Sequence, residues 1–408
     1  MERKYVSGVR LALCLAAFLI ASLFSTRAFA EAGEQWLPSE PLLEGQRIFQ
    51  GKLCSTCHRA AGDPPGERSA PDLVRERSWR DVMQLAGNAW NHAPTMMAQM
   101  QAQGIERPVL SPEDMGKLVA YLFYLNFLDD RGDAARGRTL FEQRSCSSCH
   151  QIAGLGGRVG PRLDELKTFA TSLFLAQALW NHGPQMAAKM GDLQLERPRF
   201  EKDDVAHLTA FLRGDVDPAA SRALTFAEVG NPRAGKSLFR SKGCIKCHAI
   251  DGNGGHEAPD LGTHSRPRTV SEMAGALWNH GPAMWRRMKT LAVPFPPLTN
   301  RDMADVLSYL YFVQYMGSAG DSAKGREVFR AKSCSRCHVA DGEGTRVGPD
   351  LVSSPALDSP LPWTAAIWNH APAVEKSLRE AQVPWPNFAN DEMSDLVAFL
   401  RSSRGPKQ

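Results

Sequence analysis

The amino-acid sequence predicts an all-α chain made of four tandem small helical domains. Three observations carry that expectation. The chain has 408 residues, more than one core usually serves. One block of sequence returns at intervals of 92, 98 and 90 residues, measured between the first cysteines of a repeated motif, so each block has the size of a small domain. Within each block apolar residues recur at helical spacing, and no strand-like alternation competes with them. Charge is balanced, with a formal net charge of +4, so neither nucleic acid nor an acidic substrate is implied.

Residues 1–30 read as a secretory signal peptide. Arg3, Lys4 and Arg10 precede the apolar run Leu11 to Phe24, and "AFA" at Ala28 to Ala30 offers small residues for cleavage. That run has 14 residues, short of the roughly 20 a bilayer-spanning helix needs, so the mature chain is not expected to span a membrane. Cys14 lies too early for a lipid-modified cysteine. Removing Arg3, Lys4, Arg10 and Arg27 against Glu2 leaves a nearly neutral polypeptide of charge +1. The expected location is the periplasm or another compartment outside the cytoplasm.

Eight cysteines remain, where an exported protein would by default carry disulfides. Every one instead sits in C-x-x-C-H: "CSTCH" at Cys54 to His58, "CSSCH" at Cys146 to His150, "CIKCH" at Cys244 to His248 and "CSRCH" at Cys334 to His338. That is the attachment signal for c-type haem. Cys54, Cys57, Cys146, Cys149, Cys244, Cys247, Cys334 and Cys337 would add their thiols across the haem vinyl groups. His58, His150, His248 and His338 would bind iron on the proximal side. A disulfide framework or zinc ribbon explains paired cysteines but not a histidine after each pair. Four covalent haem c groups are the expected cofactors.

Upstream of each motif a short helix carries a glycine (Gly45, Gly137, Gly235, Gly325) and a phenylalanine (Phe49, Phe141, Phe239, Phe329) four residues apart, on one face. Downstream, each block closes on an apolar-periodic helix with an aromatic at Tyr121, Phe211, Tyr309 or Phe399. Glycine against aromatic would let the two helices cross closely. On the closing helix His207 aligns with Lys117, Asp305 and Asp395 and reads as solvent face, while His264 stands in a loop without counterpart. Neither is expected to bind iron.

With these features the blocks resemble class I cytochrome c domains over nearly all of the mature chain. The resemblance implies domains at 31–128, 129–217, 218–316 and 317–408, each enclosing one haem. It also implies a loop proline whose carbonyl accepts a hydrogen bond from the proximal histidine: Pro71, Pro161, Pro259 and Pro349. Fixing Nδ1–H in that way leaves Nε2 for iron and sets the ring orientation. The basic position just before, Arg68, Arg158, His256 or Arg346, would by the same resemblance bond a haem propionate; a solvated loop charge is the other reading.

A distal ligand is His or Met in such haems; each block offers a histidine, and the first three also offer a methionine. His92, His182, His280 and His370 follow the proximal histidines by 34, 32, 32 and 32 residues. Met96, Met186 and Met284 sit four residues further on, but the last block has Val374 there; Met100, Met190 and Met288 are likewise answered by Leu378. Methionine and aliphatic residues exchange readily in a core and not as iron ligands, so a ligand common to all four is the histidine. The family usually takes methionine, which keeps Met96, Met186 and Met284 as the alternative. Pro94, Pro184, Pro282 and Pro372, two residues past each histidine, are expected to break the helix. The preceding Trp90, Trp180, Trp278 and Trp368 read as haem-pocket wall, each with an indole N–H for a propionate.

The expected function is a tetrahaem c-type cytochrome relaying electrons between redox protein partners, membrane-bound ones included. No array of acid–base or nucleophilic groups accompanies the motifs, so no catalytic residue is assigned and an electron carrier is favoured over an enzyme. The rival is a haem redox enzyme or catalytic partner subunit with one open-coordination haem, the fourth being first choice. A gas sensor is disfavoured because no output module is recognisable. Links are short near Asp129 to Asp133 and Gly317 to Asp321 and longer from Arg213 to Asn231, which suggests two dihaem halves in chain order.

Overall fold

The computed structural model describes residues 41–59, 70, 71, 73, 79–127, 129, 132–214, 229–262, 269–316 and 320–404. The expected signal peptide, Arg68, His264 and most of the long link lie outside the described residues. The first repeat holds α1 (Pro41–Gly51), α2 (Val82–Ala102) and α3 (Pro112–Phe127); the second α4 (Ala134–Gln143), α5 (Ser172–Asp192) and α6 (Asp204–Arg213). The third holds α7 (Pro232–Ser241), α8 (Val270–Thr290) and α9 (Asn300–Val313); the fourth α10 (Ser322–Ala331), α11 (Pro360–Glu380) and α12 (Glu392–Ser402).

Local sequence sets these boundaries. Asp133, Asn231 and Asp321 cap α4, α7 and α10, each side chain accepting two backbone N–H groups of the first turn. Thr171 caps α5, and Thr269 caps α8 in a reciprocal box with Glu272. Past the opening helix one residue turns left-handed, at Leu53, Ser145, Gly243 and Ser333 with φ of 62°, 59°, 83° and 61°, and swings the chain into the C-x-x-C turn. In the last three repeats a small antiparallel hairpin follows the motif: β1 (Gln151–Ile152) with β2 (Leu155–Gly156), β3 (Ala249–Ile250) with β4 (Asn253–Gly254), β5 (Val339–Ala340) with β6 (Glu343–Gly344). Their two-residue loops, Ala153-Gly154, Asp251-Gly252 and Asp341-Gly342, have positive φ throughout, as type I′ turns need. The architecture is otherwise helical.

The opening and closing helices of each repeat cross through the glycine. A Cβ on Gly45, Gly137, Gly235 or Gly325 would strike the carbonyl of Lys117, His207, Asp305 or Asp395 and the Cβ of Tyr121, Phe211, Tyr309 or Phe399. The neighbouring rings pack across the crossing, Phe49 on Tyr121 and Phe141 on Phe211 at 5.5 Å, Phe329 on Phe399 at 5.6 Å. The position of His207 is not a solvent face. His207 Nδ1, Asp305 Oδ1 and Asp395 Oδ1 accept the backbone N–H of Asp133, Asn231 and Asp321 at 2.9, 2.6 and 2.7 Å. Those donors are the caps of the opening helices, so this side chain ties the start of the second, third and fourth domains to their ends.

Between repeats, the long helices pack in two pairs: α2 with α11, joining first and fourth repeats, and α5 with α8, joining second and third. The expected halves in chain order are thus replaced by nested ones. A buried aromatic cluster joins first and third repeats, where Tyr124 Oη donates to Gly230 O at 2.8 Å and Tyr311 Oη to Phe123 O at 2.5 Å. Burial pushes the Tyr124 hydroxyl well above its ordinary range, so it serves here as a neutral donor.

Two substitutions separate these constraints. Gly235→Ala should lower stability by about 3 kcal/mol or more, because backbone cannot yield to the new methyl. Ala292→Gly, at φ 51° in the turn after α8, should raise it by about 0.5–1 kcal/mol. Thermal melting of the purified protein checks both.

Candidate functional site

On one wall of the first repeat, the Cys54–Cys57 turn presents both thiols and His58 to a cavity of about 280 Å³. His92 and Met96 on α2 line the same cavity, with Leu110 and Leu118 among its apolar walls. The proximal ring is held from behind as expected: the Nδ1 atoms of His58, His150, His248 and His338 lie 3.1, 2.9, 2.9 and 2.8 Å from the carbonyls of Pro71, Pro161, Pro259 and Pro349. Gly348 lets that loop approach, since a Cβ there would come within 2.8 Å of His338 Nδ1. None of the eight motif cysteines is paired in a disulfide. Burial pushes Cys54, Cys146, Cys244 and Cys334 up to about 11, so these thiols are neutral at pH 7.

The opposite wall is the long helix. Pro94, Pro184, Pro282 and Pro372 sit inside unbroken helices of 21 residues, so the expected break is absent. His92 Nδ1 bonds the carbonyl of Asn88 at 2.8 Å and His280 Nδ1 that of Ala276 at 2.9 Å. Such a bond aims Nε2 away from the helix. In the fourth repeat the rings of His338 and His370 lie across from one another with centroids 6.3 Å apart and planes inclined by 61°. A shared metal bound at about 2.0 Å from each ring nitrogen would put two imidazole centroids roughly 6 Å apart. Burial, with His92 adding to it, lowers the pKa of His58; burial, then His338, lowers that of His370. Both rings are therefore neutral at pH 7, the form that binds metal. Thiol pair, facing imidazoles and apolar walls fit a covalently attached haem.

Two residues before each histidine the tryptophan faces the neighbouring repeat, and its indole N–H does not serve a propionate. Trp90 and Trp368 Nε1 donate to Pro386 O and Pro108 O at 2.8 and 2.9 Å; Trp180 and Trp278 Nε1 donate to Pro296 O and Pro198 O at 2.9 and 2.7 Å. The next residue, an asparagine, both donates and accepts across the same interface. Asn91 pairs with both backbone polar groups of Phe388 at 2.8 and 2.7 Å, and Asn369 with those of Leu110 at 2.8 and 3.0 Å. Asn181 holds Leu298, and Asn279 holds Phe200, at the same two distances of 2.8 and 3.0 Å. These asparagines escaped the sequence reading, although the invariant "WN" before each histidine was a signal for them.

Each proline also leaves the carbonyl of that tryptophan without its helical N–H. The partner repeat supplies a substitute donor: Trp385 Nε1 to Trp90 O at 3.1 Å, Arg107 Nη2 to Trp368 O at 2.9 Å and Arg197 Nη2 to Trp278 O at 2.6 Å. At the fourth equivalent position Phe295 stacks on Trp180 at 5.1 Å with no N–H to give. Arg158, His256 and Arg346 are exposed.

Four segments of the chain, 42–126, 134–214, 232–313 and 322–404, each match the model of the family described as cytochrome c. Comparison with curated proteins and with solved structures found no match. Among the described residues no helix is long and apolar enough to cross a membrane.

Two measurements probe this frame. Asn91→Ala strips the half-buried backbone N–H and carbonyl of Phe388 of their partner and should cost about 1–2 kcal/mol, with loosened packing of the first repeat on the fourth seen by hydrogen exchange. In the β5–β6 hairpin, Arg330 and then Arg326 hold the Glu343 carboxyl down to about 2, from an ordinary 4.5. The folded value being depressed, this contact stabilises above pH 4.5 and is lost as pH falls toward 2. Glu343→Gln should remove that part of the acid titration, followed by near-UV circular dichroism.

Proposed function

The chain belongs to the cytochrome c family, and from that premise we propose a four-haem electron carrier that exchanges electrons with redox proteins outside the cytoplasm. Bound haem c supplies a one-electron ferric/ferrous couple; the chain's residues hold and tune it. The thioether anchors in this reading are Cys54 with Cys57, Cys146 with Cys149, Cys244 with Cys247 and Cys334 with Cys337. His58, His150, His248 and His338 are the proximal ligands, oriented by the proline carbonyls. His92, His182, His280 and His370 are the distal ligands, in preference to Met96, Met186 and Met284.

The observation that carries this proposal is the facing pair His338 and His370, 6.3 Å between centroids. Two imidazoles bound to one iron would leave no position there for a substrate, which would suit electron relay and disfavour an open fourth haem. The exported location rests on the basic and apolar pattern of residues 1–30, and the unnamed donor and acceptor are proteins because a buried haem exchanges electrons through its edge.

Visible and EPR spectra of the isolated protein, with and without carbon monoxide, test the relay. Four low-spin haems that ignore the gas are expected; a high-spin haem that binds it would favour the redox-enzyme reading. His280→Ala should convert one haem to a high-spin form while Met284→Ala leaves all four spectra intact. The reverse result would assign methionine.

A further inference from the structure

We propose that Arg107 and Arg197 make the haems of the first and second repeats the higher-potential members of the two haem pairs. This inference rests on the four-haem reading above. Position 107 recurs as Arg197, Phe295 and Trp385, so within each docked pair one repeat contributes a cation and the other a neutral aromatic ring. The difference runs across both interfaces in the same sense.

Arg107 lines the cavity that also holds His58 and His92. Its guanidinium lies 3.9 Å over the Trp368 ring and donates to the carbonyl of that residue. Its Nε and Nη1 are buried with no hydrogen-bond partner, as is Nε of Arg197. Arg197 repeats the arrangement, 3.7 Å over Trp278. Burial lowers both to about 10, which leaves them cationic at pH 7. Among the described residues no carboxylate pairs with either, so Arg107 stands in the cavity wall, and Arg197 at the matching position of the second repeat, without a protein counter-ion. At the matching positions of the other two repeats, Trp385 stacks on Trp90 at 4.4 Å and Phe295 on Trp180 at 5.1 Å, with no charge.

A fixed cation beside a haem favours the ferrous form, which carries one positive charge fewer, and a poorly solvated wall strengthens that preference. Within a pair, one electron leaves the ferrous iron of one repeat, which becomes ferric, and reduces the ferric iron of the other. No proton and no further reactant is required. The cation biases this exchange so that electrons rest on the first repeat rather than the fourth, and on the second rather than the third.

The test is a spectropotentiometric titration of the full holoprotein, with haems assigned by NMR. Arg107→Gln should lower the potential of the first-repeat haem roughly tenfold in its reduction equilibrium, about 59 mV for one electron, and leave the other three in place. Arg107→Lys, which keeps the charge, should largely restore it. Phe295→Arg introduces the missing cation over Trp180 and should raise the third-repeat haem by a similar amount; it decides the matter if Arg107→Gln does not fold. Unshifted potentials in both variants, or a shift confined to the partner repeat's haem, would overturn the assignment. Fewer than four low-spin haems in the unaltered protein would instead defeat the reading on which it rests.

Discussion

A proline inside a helix removes one N–H, and the carbonyl four residues back must find a donor elsewhere or remain unsatisfied, at about 1–3 kcal/mol. In this chain that carbonyl belongs to the tryptophan two residues before His92, His182, His280 or His370. In three of the four repeats its donor comes from another repeat, as Arg107, Arg197 or Trp385. The local defect therefore demands a neighbour. The helix also runs on through Pro184, where the matching residue is Phe295 and offers no N–H, so the cross-interface bond relieves the defect in three repeats and is not what keeps the helix continuous.

The three letters W-N-H divide their work by helical geometry. Successive residues project about 100° apart, so tryptophan and asparagine can face the docked repeat while the histidine faces the cavity. Docking residues and the cavity-facing histidine are then placed on one rigid turn, and a shift of the partner would move that histidine. The arrangement holds the first repeat against the fourth and the second against the third. The docked repeats are distant in sequence, and the chain brings them together by nesting one pair inside the other. The aromatic contact of Tyr124 and Tyr311 then ties the first repeat to the third, linking the two pairs.

Much of each domain was legible in the sequence because its constraints are local or repeat. The C-x-x-C-H motif, the loop prolines and the crossing glycines recur at fixed offsets, and the structure puts each proline carbonyl on its histidine and each glycine under its closing helix. What the sequence hid depended on partners far along the chain. His207, Asp305 and Asp395 differ in type yet share one task, accepting a cap N–H, and only the crossing reveals it. The tryptophan N–H groups read as propionate donors because no linear pattern says that Pro386 lies beside Trp90. Nor could link lengths give the pairing, since a long link constrains geometry only weakly.

The central claim is that the interfaces join first repeat to fourth and second to third. It is tested most directly by inserting a specific protease site between Asp215 and Thr225, cutting the purified holoprotein there, and measuring the mass of the product by native mass spectrometry. Both interfaces cross the cut, so the two fragments should stay together as one species until denatured. Release of two separate fragments under native conditions would contradict the account, because it would mean that each half holds itself together in chain order.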